Sequence, residues 1–266
     1  MTKNFDHTSK LRLVDTHCHI DFKEFDSDRD LIIAQAQAAG VLDIIVPAVA
    51  QGSWNKTITI CQRYSQCHLA LGLHPVFIDQ HQPQHLIELD TLLKTTPTIA
   101  VGEIGLDFFL KELDREKQKI FFSKQLIIAK KHKLPVIIHN RKAHDECILM
   151  LNETGTNSGI IHAFNGSIQQ AEKYIELGFL LGFGGMLTYQ RSNKLKALVK
   201  QLPIESIVLE TDAPDMTVQQ HHGNRNSPHY LPYILASIAE VKKIDINEVA
   251  TICSNNARQL FSKFKY

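Results

Sequence analysis

The chain has 266 residues, 44% of them hydrophobic and 21% charged, an ordinary globular composition with enough length to bury one large core. Its 29 basic and 28 acidic residues leave a formal charge of +1, which excludes a protein that coats nucleic acid by bulk electrostatics; any attraction to phosphate must be local to one cleft. No apolar run reaches the roughly 18 residues of a membrane span, the opening MTKNFDHTSK is too polar for a secretory leader, and five cysteines without a Cys-x-x-Cys pair predict no disulfide framework and a reducing, cytoplasmic setting.

In chain order, the first apolar run is LRLVD (11–15), followed at once by THCHID. DSDRDLIIAQAQAAG reads as a helix with acidic residues at its start and Gly40 at its end, each placed where a helix terminus favours it. Strands are predicted at DIIVPAV (43–49), LALGL (69–73) and TIAVGEI (98–104). The segment DREKQKIFFSKQLIIAKKHK puts Phe122, Leu126 and Ala129 on one helical face. Strands follow at PVIIH (135–139) and GIIHAF (159–164), then a helix from Ser167 to Gly178, then strands at GFLLGFG (178–184) and SIVLET (206–211). Two last helices fall near 228–242 and 245–260. Most of the strand runs are continuously hydrophobic rather than alternating, as in parallel strands covered on both faces. Eight strands alternating with helices, with no linker or repeat between them, predict a single (β/α)8 TIM-type barrel domain over residues 1–266.

Active sites of such barrels lie at the C-terminal ends of the strands. Residues two apart on a strand point the same way, so Asp15, His17 and His19 can share one side there. The same height on later strands offers Glu103, His139, His162 and Asp212. Any one of these histidines would more often be a buried structural residue than a ligand, but ligand types at five separate strand ends argue for metal. Four imidazoles and two carboxylates suit divalent cations such as Zn, Mn or Mg. Six donors exceed one tetrahedral ion, and a carboxylate, Glu103 or Asp212, can bridge two cations about 3.5–4 Å apart. Asp212 is also the expected base for the attacking water. Asp15 is expected either to orient a histidine or to close the barrel, and Glu210 to support the site from behind. His74 and Arg141, at or just past strand ends, and Arg225, in the loop after the last strand, are expected at the substrate, the arginines because guanidinium matches phosphate. Cys18 reads as packing. His144, His221, His222 and His229 read as exposed polar residues.

The stretches DTHCHID, ALGLHP, VGEIGLDFF, LPVIIHNRKAHDE, GIIHAFNGS and LETDAPDM together resemble the TatD family of metal-dependent hydrolases, and DAPDM and SIQQAE look most like its YjjV branch. The resemblance covers nearly the whole chain. It implies a pair of divalent cations, one held by His17, His19, Glu103 and Asp212, the other by Glu103, His139 and His162. It also implies hydrolysis of ester bonds, with a deoxyribonuclease-like phosphodiesterase as the leading activity, a nucleic acid or other phosphodiester as the transient partner, and no membrane partner. Two positions depart from the family pattern: Ala163 and Asn165 stand in a motif that usually reads His-Cys-Phe-Ser-Gly, and Ser227 stands where Glu is common in Arg-Asn-x-Pro. Both bear on substrate preference rather than on the ligands. An acyl or amide hydrolase, such as a deacylase of mischarged aminoacyl-tRNA, is the alternative within the enzyme class. A metal-binding partner protein without turnover is the remote one.

Overall fold

A computed structural model describes residues 12–261. The polar opening segment and Leu11 of the first predicted strand lie outside the described residues. Eight strands form one sheet in the order of the sequence: β1 (Leu13–Asp15), β2 (Val41–Pro47), β3 (Cys67–Leu71), β4 (Ala100–Asp107), β5 (Val136–Arg141), β6 (Gly159–Ile161), β7 (Phe179–Phe183) and β8 (Ile207–Leu209). Every neighbouring pair is parallel. The sheet closes on itself where the Thr16 amide and hydroxyl both donate to the Leu209 carbonyl at 2.9 Å, and where Cys18 bridges Ala213. This is the (β/α)8 barrel that the alternating pattern predicts. All eight strands fall where the apolar runs place them, with ends shifted by a few residues.

The helices are α1 (Arg29–Ala38), α2 (Trp54–Arg63), α3 (Pro83–Thr95), α4 (Arg115–His132), α5 (His144–Thr154), α6 (Ile168–Glu176), α7 (Asn193–Gln201), α8 (Leu231–Lys242) and α9 (Ile246–Leu260). Five of them match the predicted segments. Gly40 and Gly178 end α1 and α6 with φ of 86° and 85°, a conformation that glycine adopts without a Cβ penalty. Ser167 caps α6 by accepting the Gln170 amide, and the Gln170 side chain returns the favour to the Ser167 amide. Phe122, Leu126 and Ala129 are all fully buried on α4. The sequence reading leaves α2, α3, α5 and α7 unassigned. In α2 the run Thr57 to Ile60 is β-branched throughout, which argues locally for strand; burial of Trp54, Thr57 and Ile60 against the barrel overrides that preference.

Two apolar layers hold the fold. The larger lies between the sheet and the helices. The smaller takes one residue from each strand, namely Val14, Ile45, Ala70, Ala100, Ile137, Ile160 and Val208 with Leu180 packed against them, and is stoppered by Ala257 and Phe261. This inner layer sets what comes above it. Two residues beyond Ile137, Ile160 and Val208 stand His139, His162 and Glu210, and four beyond Ala70 stands His74. Period two therefore carries each of these strands from the apolar interior to the mouth on the same side. Glu103 breaks the count from Ala100, and β4 has a register irregularity between Val101 and Ile104 that turns it inward. No helix among the described residues is long and apolar enough to cross a membrane.

Candidate metal centre

At the mouth, the donors sort by distance into two sets that share Glu103. In the first, His17 Nε2 lies 3.2 Å from His19 Nε2 and 3.1 Å from Glu103 Oε2. His19 Nε2 lies 3.5 Å from the same oxygen, and Asp212 Oδ1 is 3.6 Å from His17 and 3.7 Å from His19. In the second, the other oxygen of Glu103, Oε1, lies 3.1 Å from His74 Nε2 and 3.3 Å from His139 Nδ1. His162 faces Asp212, with its Nε2 3.6 Å from Oδ1, and stacks on His17 at a centroid distance of 3.6 Å.

These separations fit a metal. Donors bonded at about 2.0–2.1 Å to a tetrahedral ion lie about 3.3 Å from one another, and the first set spans 3.1 to 3.7 Å. Without a cation, two imidazole nitrogens 3.2 Å apart aimed at one carboxylate oxygen would share at most a few protons among them. The protonation tendencies agree. Burial would raise both carboxyls, yet the surrounding histidines hold Glu103 well below the usual carboxylate range and Asp212 below it too, so both stay anionic. Burial pushes His17 and His74 down toward the neutral ligand form. His19, His139 and His162 are drawn up against burial by the carboxylates beside them, and a bound cation would displace those protons.

Three of the rings are held from behind by hydrogen bonds, as metal-binding histidines are, while His17 Nδ1 is buried without a hydrogen-bond partner among the described residues. His19 Nδ1 meets the Pro47 carbonyl at 3.2 Å. His139 Nε2 meets Asp107 Oδ2 at 3.0 Å, which leaves Nδ1 for the site. His74 Nδ1 accepts the Val76 amide at 3.1 Å, which turns Nε2 toward Glu103. His162 Nδ1 lies 3.1 Å from Glu210 Oε1 but off the hydrogen-bond line, and that oxygen accepts the Ala163 amide at 2.7 Å. A Cβ on Gly182 would sit 2.1 Å from the other oxygen of Glu210, so only glycine leaves Glu210 its place.

Several expectations change against this geometry. His74, expected at the substrate, is buried among the candidate ligands, in one group with Glu103 and His139. His162, assigned by resemblance to Glu103 and His139, sits instead with His17, Asp212 and Glu210. Arg225, expected at the substrate, lies over the Phe25 ring at 4.5 Å and pairs with Asp28 at 2.6 Å. It also donates to the Glu24 carbonyl. Its guanidinium is thereby committed to clasping the loop after β8 to the loop after β1. Arg141 is exposed at the rim, 3.7 Å over the Phe109 ring, with no ion pair among the described residues. Asp15 does not reach an imidazole; it accepts the His17 amide at 3.2 Å and ties β1 to Thr211, and burial pushes its carboxyl up to about 7. His144 is buried rather than exposed, its Nδ1 3.3 Å from the Tyr174 hydroxyl. His221 stacks on Tyr230 at 3.9 Å, while His222 is exposed. Asp107 was not singled out in the sequence. Its signal is a carboxylate four residues past Glu103 on the same strand.

Comparison with known proteins agrees in extent as well as in fold. A family model described as TatD related DNase matches residues 14–262. The chain is 37% identical over 254 residues to the Escherichia coli protein described as the uncharacterized metal-dependent hydrolase YjjV, covering 94% of this chain and 98% of that one. The crystal structure of that TatD homologue superposes with a TM-score of 0.92 over 96% of this chain and 99% of that one. The human protein named deoxyribonuclease TATDN3 is 33% identical over 267 residues, covering 96% of each chain.

Proposed function

We propose a deoxyribonuclease-like phosphodiesterase that works with two divalent cations, on the premise that this chain belongs to the TatD family of metal-dependent hydrolases. The observation that carries the reading is the divided carboxylate of Glu103. One oxygen faces His17 and His19, the other faces His74 and His139, as a bridge between two cations requires.

The first cation would be held by His17, His19, Glu103 and Asp212, the second by Glu103, His139 and His74, with His162 beside Asp212. Bound cations supply Lewis acidity toward a phosphoryl oxygen and toward the attacking water. Asp212 takes the proton of that water. It is the carboxylate open to the mouth, 15% exposed against 2% for Glu103 and 1% for Glu210. Its backbone is left-handed, with φ of 58°, and the amide is held by the His17 carbonyl at 2.8 Å, so the carboxylate is fixed by the same strand that presents the histidines. Glu210, through His162, and Asp107, through His139, keep the rings in register during turnover. Arg141 offers a fork to a non-bridging phosphate oxygen at the rim, and an anionic substrate suits its lack of an acidic partner among the described residues.

The test is metal analysis of the purified protein followed by an activity panel of phosphodiester, phosphomonoester and carboxylic ester substrates. About two cations per chain and preference for the diester support the reading. Turnover confined to acyl or aminoacyl esters overturns it.

A further inference from the structure

A cavity of about 390 Å3 opens beside the metal centre, between the ends of β6 and β7 and helix α7. Its floor is apolar: Phe164 and Phe183 are buried with their rings edge to face at 6.4 Å, and Leu198 is buried beside them. Leu195 forms the half-buried α7 side. At the rim Met186 is 44% exposed, a large apolar side chain that no other described residue covers.

The wall between this cavity and the metal centre is one residue thick. His162 faces Asp212, and the next residue, Ala163, lines the cavity while its amide holds Glu210. On the other side Gly182 and Gly184 line the cavity with Glu210 packed against both. A substrate that enters here has its neighbouring bond beside the ligand set.

The charge at the rim is of one sign. Arg191 and Lys194 line the cavity, both exposed, and neither forms an ion pair among the described residues. No acidic side chain is among the lining residues. An aromatic and aliphatic slot with unpaired cations at its edge, next to a hydrolytic centre, matches a planar ring joined to a phosphate. Polar side chains in the slot are few, chiefly Asn165 and Ser192, so the ring would be gripped by its face rather than read along its edge.

We propose that this cavity is a nucleobase subsite, holding the base next to the scissile phosphate while Arg191 and Lys194 take the following phosphate. The proposal rests on the phosphodiesterase reading above and names which part of a nucleic acid that site grips.

The test compares binding of deoxyadenosine 5′-monophosphate and deoxyribose 5-phosphate to the manganese-loaded protein by calorimetry. Both carry the same phosphate, so their ratio isolates the base. The wild type is expected to favour the nucleotide by about ten- to a hundredfold, the range of one stacked base. Leu195→Trp fills the slot and should bring the ratio near one. The following phosphate is absent from both, so Lys194→Glu, on the exposed rim where folding is not at risk, is read with deoxyadenosine 3′,5′-bisphosphate and should weaken its binding by about tenfold while keeping the ratio of the first two ligands. A wild-type ratio near one, a ratio that survives in folded Leu195→Trp, or unchanged binding of the bisphosphate in Lys194→Glu overturns the proposal. Hydrolysis of a single-stranded oligonucleotide tests the parent reading separately. Turnover together with a wild-type binding ratio near one removes the subsite alone, and no turnover of any phosphodiester removes both.

Discussion

Asp15 and Thr211 are 196 positions apart in sequence, and the Thr211 hydroxyl donates to Asp15 Oδ2 at 2.5 Å while its amide donates to Oδ1 at 2.9 Å. This pair closes the barrel directly beneath the metal centre, because His17 follows Asp15 by two residues and Asp212 follows Thr211 by one. Replacing Asp15 by Ala leaves the Thr211 and His17 amides without their buried acceptor. The expected loss is about 2–4 kcal/mol of unfolding free energy, read from urea denaturation of the metal-free protein. Metal affinity should fall with it. A variant that is as stable as the wild type would mean that closure rests on the other bonds across this seam, from Thr16 to Leu209 and between the His17–His19 and Asp212–Ala213 segments.

Glu103 is the one side chain that both donor sets share, so its loss should be visible in stoichiometry rather than in folding. We expect the wild type to bind about two divalent cations per chain and Glu103→Ala at most one. Metal analysis after equilibrium dialysis measures this. Two tightly held cations in the variant would remove Glu103 from the bridging position.

Asp212→Asn keeps the shape and one donor oxygen but cannot take a proton near neutral pH. Turnover is expected to drop by about 10²–10⁴-fold, the usual worth of a positioned base, with metal content and thermal midpoint close to wild type. Near wild-type turnover with full metal occupancy would place the base elsewhere.

Much of this centre was legible in the sequence because barrels of parallel strands leave little freedom. Period-two alternation above a fully apolar layer forces His139, His162 and Glu210 inward from Ile137, Ile160 and Val208. What escaped depended on contacts that pattern does not encode. His74 reaches Glu103 because its Nδ1 is held by the Val76 amide, so that Nε2 points inward. Asp107 matters only once β4 and β5 are paired and His139 is brought to its side. The role of Arg225 was decided by Asp28 and Phe25, nearly two hundred residues away. Helix α2 was hidden by its β-branched run, which burial outweighs.

The two arginines should therefore separate. Arg141→Ala removes an exposed guanidinium at the rim, and its effect should fall on a phosphodiester substrate. The Michaelis constant is expected to rise about ten- to a hundredfold, from the loss of one charge-assisted contact of roughly 1.5–3 kcal/mol, with stability unchanged. Arg225→Ala removes the clasp to Asp28 and Phe25. It is expected to cost about 1 kcal/mol of stability with a smaller effect on the Michaelis constant. Equal kinetic defects in both variants would return Arg225 to the substrate.

Far from the site, Asp90 on α3 links that helix to the end of α4. Its Oδ2 accepts from Lys131 at 2.7 Å, its Oδ1 meets His132 Nε2 at 2.8 Å, and Lys94 stands 3.7 Å away. The hydrogen bond from Lys131, followed by that from His132, pulls the Asp90 carboxyl down from 3.8 to about 2. A folded-state value below the unfolded one means that the ionised form stabilises the fold above about pH 4, and that this contribution is lost as pH falls toward 2. The full difference would correspond to about 2.5 kcal/mol, and screening at a surface pair reduces it to roughly 1 kcal/mol. Asp90→Asn should therefore be less stable than the wild type by about that amount at pH 5, and the gap should close between about pH 4 and pH 2. Denaturant titrations of both proteins across this window measure it, and a gap that is constant with pH would show that Asp90 contributes through packing and neutral hydrogen bonds rather than through its charge.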